Sequence, residues 1–155
     1  MRKNIFSLLE KSGKKYSNKI FLKDINKKRD LTYKETLDFV YKLNNFFSKK
    51  KIKKKEKIIV VFDNSILLSL LFIGITSSNR VFVPVNPEIG RFEFLNILKK
   101  SDAKVLIADQ IYKKKFFKLF KKKSMYINQH WKFINKIFNY KNKPFNKNFN
   151  GLCEI

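Results

Sequence analysis

Lys57-Ile58-Ile59-Val60-Val61-Phe62, then Asp63-Asn64-Ser65, then Ile66 to Ser77, then Val81-Phe82-Val83-Pro84-Val85-Asn86-Pro87, is the stretch that decides the fold. Ile58 to Phe62 is an unbroken apolar, mostly β-branched run. Such a run suits a strand covered on both faces, as in a parallel sheet. Asp63, Asn64 and Ser65 are each suited to cap a following helix. That helix, about Ser65 to Ser77, is apolar nearly all round, which predicts burial. Val81 to Val85 reads as the next strand, with Pro84 marking its end or an edge position. Pro87 and Gly90 then punctuate a loop.

The pattern continues in both directions. Upstream, Asn4 to Lys11 is expected to be a short helix with Ile5, Leu8 and Leu9 on one face. Lys19 to Lys23 reads as a strand, Ile25 to Arg29 as a polar turn, and Leu31 as part of a second short strand. Thr32 to about Ser48 is the clearest helix. Thr32 and Glu35 have the spacing of a capping box, and Leu37, Val40, Leu43 and Phe47 recur at helical intervals. The lysine-rich stretch Lys49 to Lys57 ends it.

Downstream, Arg91 to Lys100 is expected to be a helix with Phe94, Leu95 and Leu98 facing inward. Lys104 to Ala108 is a strong strand. Gln110 to Lys123 reads as one basic helix carrying Tyr112, Phe116, Leu119 and Phe120 on its apolar side. Ser124 to Ile127 fits a fourth strand, and His130 to Phe138 a last short helix. Residues 139–150, rich in Asn and Lys, are expected to be a mobile loop, and Leu152 to Ile155 the opening of another strand. Alternating strands and helices imply right-handed crossovers in an α/β fold: a layered, mostly parallel sheet with flanking helices.

The chain has 155 residues, enough to bury a core as one domain, and an apolar fraction of 44% that excludes a disordered class. Its formal charge is +24, from 36 basic and 12 acidic residues. Such a charge suggests a nucleic-acid or other polyanion partner. However, the arginines are just Arg2, Arg29, Arg80 and Arg91, while Lys, Asn, Ile and Phe abound and Ala is scarce. This is the signature of A/T-rich coding displayed on a solvated surface. Sequence-reading proteins favour the bidentate Arg fork, so no specific nucleic acid is expected. The clusters Lys49–Lys55, Lys113–Lys115 and Lys121–Lys123 lie near Phe116, Phe117, Phe120 and Tyr126. Those aromatics fit a packed helix face better than exposed stacking platforms.

Cys153 is the single cysteine, so no internal disulfide forms. The N-terminus lacks a signal-peptide pattern, and the longest apolar run, Ile66 to Ile75, is too short to span a bilayer. A cytoplasmic location is expected. His130 is the single histidine; with Cys153 it cannot make a zinc site of the usual kind. Nothing in the sequence positions a Cys153–His130 nucleophilic pair.

Leu31-Thr32-Tyr33-x-Glu35 and Phe82-Val83-Pro84-Val85-Asn86-Pro87, in this order and at this separation, resemble the first two core motifs of the adenylate-forming (AMP-binding) enzymes, the acyl-CoA synthetases and adenylation domains. Ser101-Asp102-Ala103-Lys104-Val105-Leu106-Ile107 is similar to a strand that often follows them. The resemblance runs from about Phe6 to Ala108 and implies that residues 1–155 are a partial, truncated N-terminal domain of such a ligase. Two departures fall at turns. Ser77-Ser78-Asn79 stands for Lys-Ala-Gly, and Asp102 stands for Gly; Asn and Asp tolerate a left-handed backbone better than most residues.

What the resemblance implies for a complete enzyme is ATP- and Mg²⁺-dependent acyl-adenylate formation, then transfer to coenzyme A or a carrier-protein pantetheine. The family's phosphate-binding loop, T-S-G-T-T-G-x-P-K-G, has no counterpart in these residues. The matched motifs build scaffold, so no catalytic, cofactor-binding or metal-binding residue is assigned, and the chain alone is expected to be inactive. Two other readings stay open: a polyanion binder, and a partner of a separately encoded ligase remainder.

Overall fold

A computed structural model describes residues 5–141. In chain order they form α1 (Ile5–Lys15), β1 (Ile20–Asp24), β2 (Arg29–Thr32), α2 (Tyr33–Lys49), β3 (Lys57–Val61), α3 (Ile66–Ser77), β4 (Val81–Pro84), α4 (Arg91–Ser101), β5 (Val105–Asp109), a 3₁₀ turn (Gln110–Tyr112), α5 (Lys113–Phe116), β6 (Lys123–Ile127) and α6 (His130–Phe138). The expected strand from Leu152, most of the expected loop, and Cys153 lie outside the described residues.

Four strands make a parallel sheet in the order β4-β3-β5-β6. β1 and β2 form a separate antiparallel ribbon. Because strand residues alternate in direction, β3 feeds both faces. Ile58 and Val60 join Phe39, Leu43, Leu67, Leu71 and Ile134 in one core, beneath α2, α3 and α6. Ile59 and Val61 join Phe94, Leu106, Ala108 and Phe116 in a second core, beneath α4 and α5. The layered α/β expectation therefore holds, and the unbroken apolar run has its reason: neither face of β3 meets water.

Local chemistry fixes the boundaries. Thr32 caps α2: its Oγ1 accepts from the Glu35 N–H at 3.2 Å, and the Glu35 carboxylate accepts from the Thr32 N–H at 2.8 Å. Of the three candidate caps, Ser65 caps α3, accepting from the Leu68 N–H at 3.2 Å. Pro84 ends β4 on the sheet margin, where a missing N–H costs no ladder bond. Asn79 (φ 56°) and Asp102 (φ 47°) both adopt the left-handed backbone expected at the two glycine-replaced turns. Gly74 lies where a Cβ would come within 2.5 Å of the Leu43 side chain, so α2 and α3 pack closely there.

Arg80 closes the base of the sheet. It is 3% exposed. Its Nε and Nη2 donate to the Ile52 carbonyl at 3.2 and 2.7 Å, and its Nη1 donates to Asn44 Oδ1 at 2.8 Å and the Ser78 carbonyl at 3.0 Å. The guanidinium lies 5.1 Å from the centre of the Phe47 ring. One side chain thus ties the end of α2, the loop before β3 and the start of β4.

Three expectations are corrected. Gln110 to Lys123 is not one helix: a 3₁₀ turn and a four-residue α5 are followed by a turn, and Lys123 already belongs to β6. Phe116 and Phe120 are still buried. Leu8 is exposed; the inward face of α1 is Ile5, Leu9 and Gly13, one helical turn apart. Leu95 is exposed as well, and Phe94 is the buried residue of α4, because the helix rests a narrow stripe on the sheet.

Candidate functional site

Parallel sheets place their loops with chemistry beyond the carboxyl ends of the strands, at the point where the winding reverses. Here β3 connects through α3 to β4 on one side, and β4 connects through α4 back across β3 to β5. The reversal lies between β3 and β5. Asp63 follows β3, and Asp109 ends β5.

Each carboxylate has a partner. The Tyr112 hydroxyl donates to Asp63 Oδ2 at 2.6 Å. This hydrogen bond to Asp63, with the surrounding negative charge, pushes the Tyr112 phenol up to about 12. Asp109 Oδ2 meets His130 Nε2 at 2.7 Å, and Asp109 Oδ1 accepts from the Ile111 N–H at 3.1 Å. The His130 ring stands edge-on to Phe62, with centroids 5.4 Å apart. β6 positions His130, because its carboxyl end delivers the first residue of α6 beside the end of β5. Next to them Asn86 Oδ1 accepts from the Glu88 N–H at 2.9 Å, and Lys115 Nζ donates to the Pro87 carbonyl at 2.6 Å.

These contacts lace the loops of β3, β4, β5 and β6 into one rim. The rim's ionisable side chains include Asp63, Glu88 and Asp109 together with Lys115 and His130. Among the described residues, no three of His, Cys, Asp and Glu gather to hold a metal ion. No chemical step is assigned to the rim.

Most residues of the matched motifs are engaged in caps and packing, while Asn86 and Pro87 of the second motif lie in the rim. Leu31 is buried in the first core. Thr32 and Glu35 are spent on the capping box, and Tyr33 packs on Phe21 at 4.6 Å. Phe82 meets Phe72 edge-on at 5.3 Å, and Asp102 is the left-handed C-cap of α4. Of the Cys153–His130 pair, Cys153 lies outside the described residues and His130 is the residue that meets Asp109. The Asp63–Tyr112 and Asp109–His130 pairs escaped sequence reading. Their signal was available: each acid stands directly at the end of an apolar strand run.

Comparison with known proteins places this geometry. A family model described as "AMP-binding enzyme" matches residues 9–148. Among solved structures, VinN superposes with a TM-score of 0.78 at 23% identity, over 88% of this chain and 36% of that one. VinN in complex with L-aspartate gives 0.78 and 23%, over 88% and 38%. Klebsiella oxytoca NpsA in complex with 3-hydroxyanthranilyl-AMSN gives 0.71 and 16%, over 91% and 27%. The chain therefore spans a little over a third of the VinN chains it matches.

Proposed function

Because this chain belongs to the AMP-binding enzyme family, we propose that it is the N-terminal scaffold portion of an acid-activating ligase. In the complete enzyme a carboxylate oxygen attacks the α-phosphorus of ATP, and the bond to pyrophosphate breaks. A thiol sulfur of coenzyme A or carrier-protein pantetheine then attacks the acyl carbon, and AMP leaves. The 155 residues supply the first parallel sheet, its two flanking cores and the laced rim. The phosphate loop, the metal and the acid pocket belong to the rest of the ligase. The observation that carries this reading is the family match over residues 9–148 on a sheet where most residues of the matched motifs are spent on caps and packing.

The acids named with the neighbouring structures are aspartates and hydroxylated aryl acids. They set the test panel: L-aspartate, 3-methylaspartate, 3-hydroxyanthranilate and 3-hydroxybenzoate. Radiolabelled pyrophosphate is expected not to exchange into ATP when the purified chain is mixed with any of them. Robust exchange refutes the scaffold reading. Coding DNA beyond Ile155 gives a second check, since a T-S-G-T-T-G-like run in any frame supports it. No helix of the described residues is long and apolar enough to cross a membrane, and we place the ligase in the cytoplasm.

A further inference from the structure

The two ends of the parallel sheet differ in charge. The amino ends of β3, β5 and β6 are reached through residues 49–57, 99–104 and 121–123. These segments hold thirteen lysines against two acids, Glu56 and Asp102. Every one of those lysines is exposed. At the opposite end the rim sets Asp63, Glu88 and Asp109 among its cations. Coding bias multiplies lysines, but it does not choose one end of a sheet assembled from three distant segments.

The three segments form one surface. β3, β5 and β6 are neighbours in the sheet, so their first residues stand ~5 Å apart from strand to strand. Lys123 Nζ donates to the Lys50 carbonyl at 2.8 Å, the Lys104 N–H to the Lys57 carbonyl at 3.2 Å, and Lys122 Nζ to the Ala103 carbonyl at 3.1 Å. The local acids do not neutralise this surface. Asp102 already pairs with both Lys104 and Lys122, and half-buried Glu56 supports the charge of buried Arg80. Helix dipoles account for Lys49, Lys99 and Lys100, in the last turns of α2 and α4. They do not account for the lysines of residues 51–57 and 121–123.

The three segments contain no arginine and no aromatic residue. A binder of single-stranded nucleic acid sets stacking platforms beside its charge, and a reader of guanine or phosphate uses the Arg fork. The apolar residues of the segments, Ile52 and Ala103, are buried and offer nothing to insert. Lysine alone, spread over a broad face, suits the diffuse negative field of many headgroups. We propose that the amino end of the sheet is a docking face for an anionic lipid bilayer, held at headgroup level by charge. So docked, the chain turns its rim, with Asn86, Asp109 and His130, away from the lipid. The inference stands on the placement of charge and is independent of the ligase reading.

Cosedimentation of the full chain with vesicles tests this. Phosphatidylcholine vesicles with about 30 mol % phosphatidylserine are expected to carry the chain down at about 0.1 M salt and to release it at about 0.5 M. Vesicles of phosphatidylcholine alone are expected to leave it in solution. The variant Lys53→Gln/Lys57→Gln/Lys100→Gln/Lys121→Gln removes four exposed charges from this face. It is expected to weaken binding by about thirtyfold or more, a factor of about five for each of at least two lysines at the surface. A second set on the same face, Lys51→Gln/Lys55→Gln/Lys99→Gln/Lys123→Gln, is expected to reproduce the loss. The control Arg91→Gln/Lys114→Gln/Lys118→Gln/Lys132→Gln removes as many exposed charges toward the rim, from the groove beside α5 and the first turn of α6. It is expected to weaken binding by less than about threefold, the general loss of net positive charge.

Equal losses from the control and from the two sets on this face overturn the proposal. So does equal binding to phosphatidylcholine alone, or binding that survives the higher salt. If the two sets weaken binding of duplex DNA more than binding of the anionic vesicles, the face belongs to nucleic acid and the proposal fails. None of these results alters the pyrophosphate-exchange outcome, which bears separately on the ligase reading.

Discussion

Replacing Arg80 with Ala removes the donors that serve three acceptors at once: the Ile52 carbonyl, the Ser78 carbonyl and Asn44 Oδ1. Burial pulls the guanidinium down to about 10, with Glu56 pulling the other way. Near neutral pH the group is still a cation, and its hydrogen bonds are charge-assisted. Each acceptor left buried without a donor costs ~1–3 kcal/mol. The side chain also leaves a void against Phe47, which is itself fully buried. Against these losses, the variant no longer desolvates a cation, a relief of several kcal/mol. The balance is a loss of about 3 kcal/mol, the usual outcome when one partner of a buried polar network is deleted. With a urea m-value of about 2 kcal/mol/M for a domain this size, the midpoint falls by about 1.5 M. Arg80→Lys keeps the charge but loses the fork, and is expected between the two. Circular dichroism through a urea titration reads both. If Arg80→Ala shifts the midpoint by less than about 0.5 M and Arg80→Lys matches the parent, the guanidinium is solvated and the three-way tie is wrong.

Three further outcomes are expected. Thr32→Ala breaks the capping box and costs about 1 kcal/mol in the same urea experiment; no loss would mean the Glu35 carboxylate caps α2 unaided. Asp63→Asn takes away the carboxylate that raises Tyr112, so its phenol returns toward the ordinary tyrosine value; a tyrosine ¹³Cζ titration by NMR checks this, and an unmoved Tyr112 resonance refutes the contact. Asp102 is held below the usual carboxylate range by hydrogen bonds from Lys104 and Lys122. A depressed folded value adds stability above the unfolded value and loses it as pH falls through the folded one. Asp102→Asn keeps the left-handed turn, so the melting-temperature gap to the parent should stay flat above about pH 5 and close below about pH 4. A gap that persists at pH 2, below both values, would assign the effect to the turn instead.

What the sequence alone determined is whatever depends on neighbours within a turn or two of chain. Ile58 to Phe62 is apolar at every position, so it announced a strand with no wet face. Thr32 with Glu35, Ser65, Pro84, Asn79 and Asp102 act through their own backbone or one three to four residues away, and each marked its element correctly. The apolar stripes of α1 and α4 were read nearly right. A helix period leaves neighbouring leucines ambiguous, and contact with other elements decides which one turns inward.

Tertiary structure decided the rest. Thirteen residues separate Asp109 from Lys123, and they must return from the carboxyl end of β5 to begin β6 in register with Val105. As one helix they would span ~20 Å, more than the ~17 Å of a five-residue strand, and leave no residue to turn at either end. The spacing of Phe116 and Phe120 cannot register that limit. The rim is equally remote from local rules: Asp63 and Tyr112 stand 49 residues apart, and Asp109 and His130 stand 21 apart. Arg80 and Asn44 are separated by 36. A side chain's partner across the sheet is set by strand order and register, which are properties of the packed whole, and no local pattern encodes them.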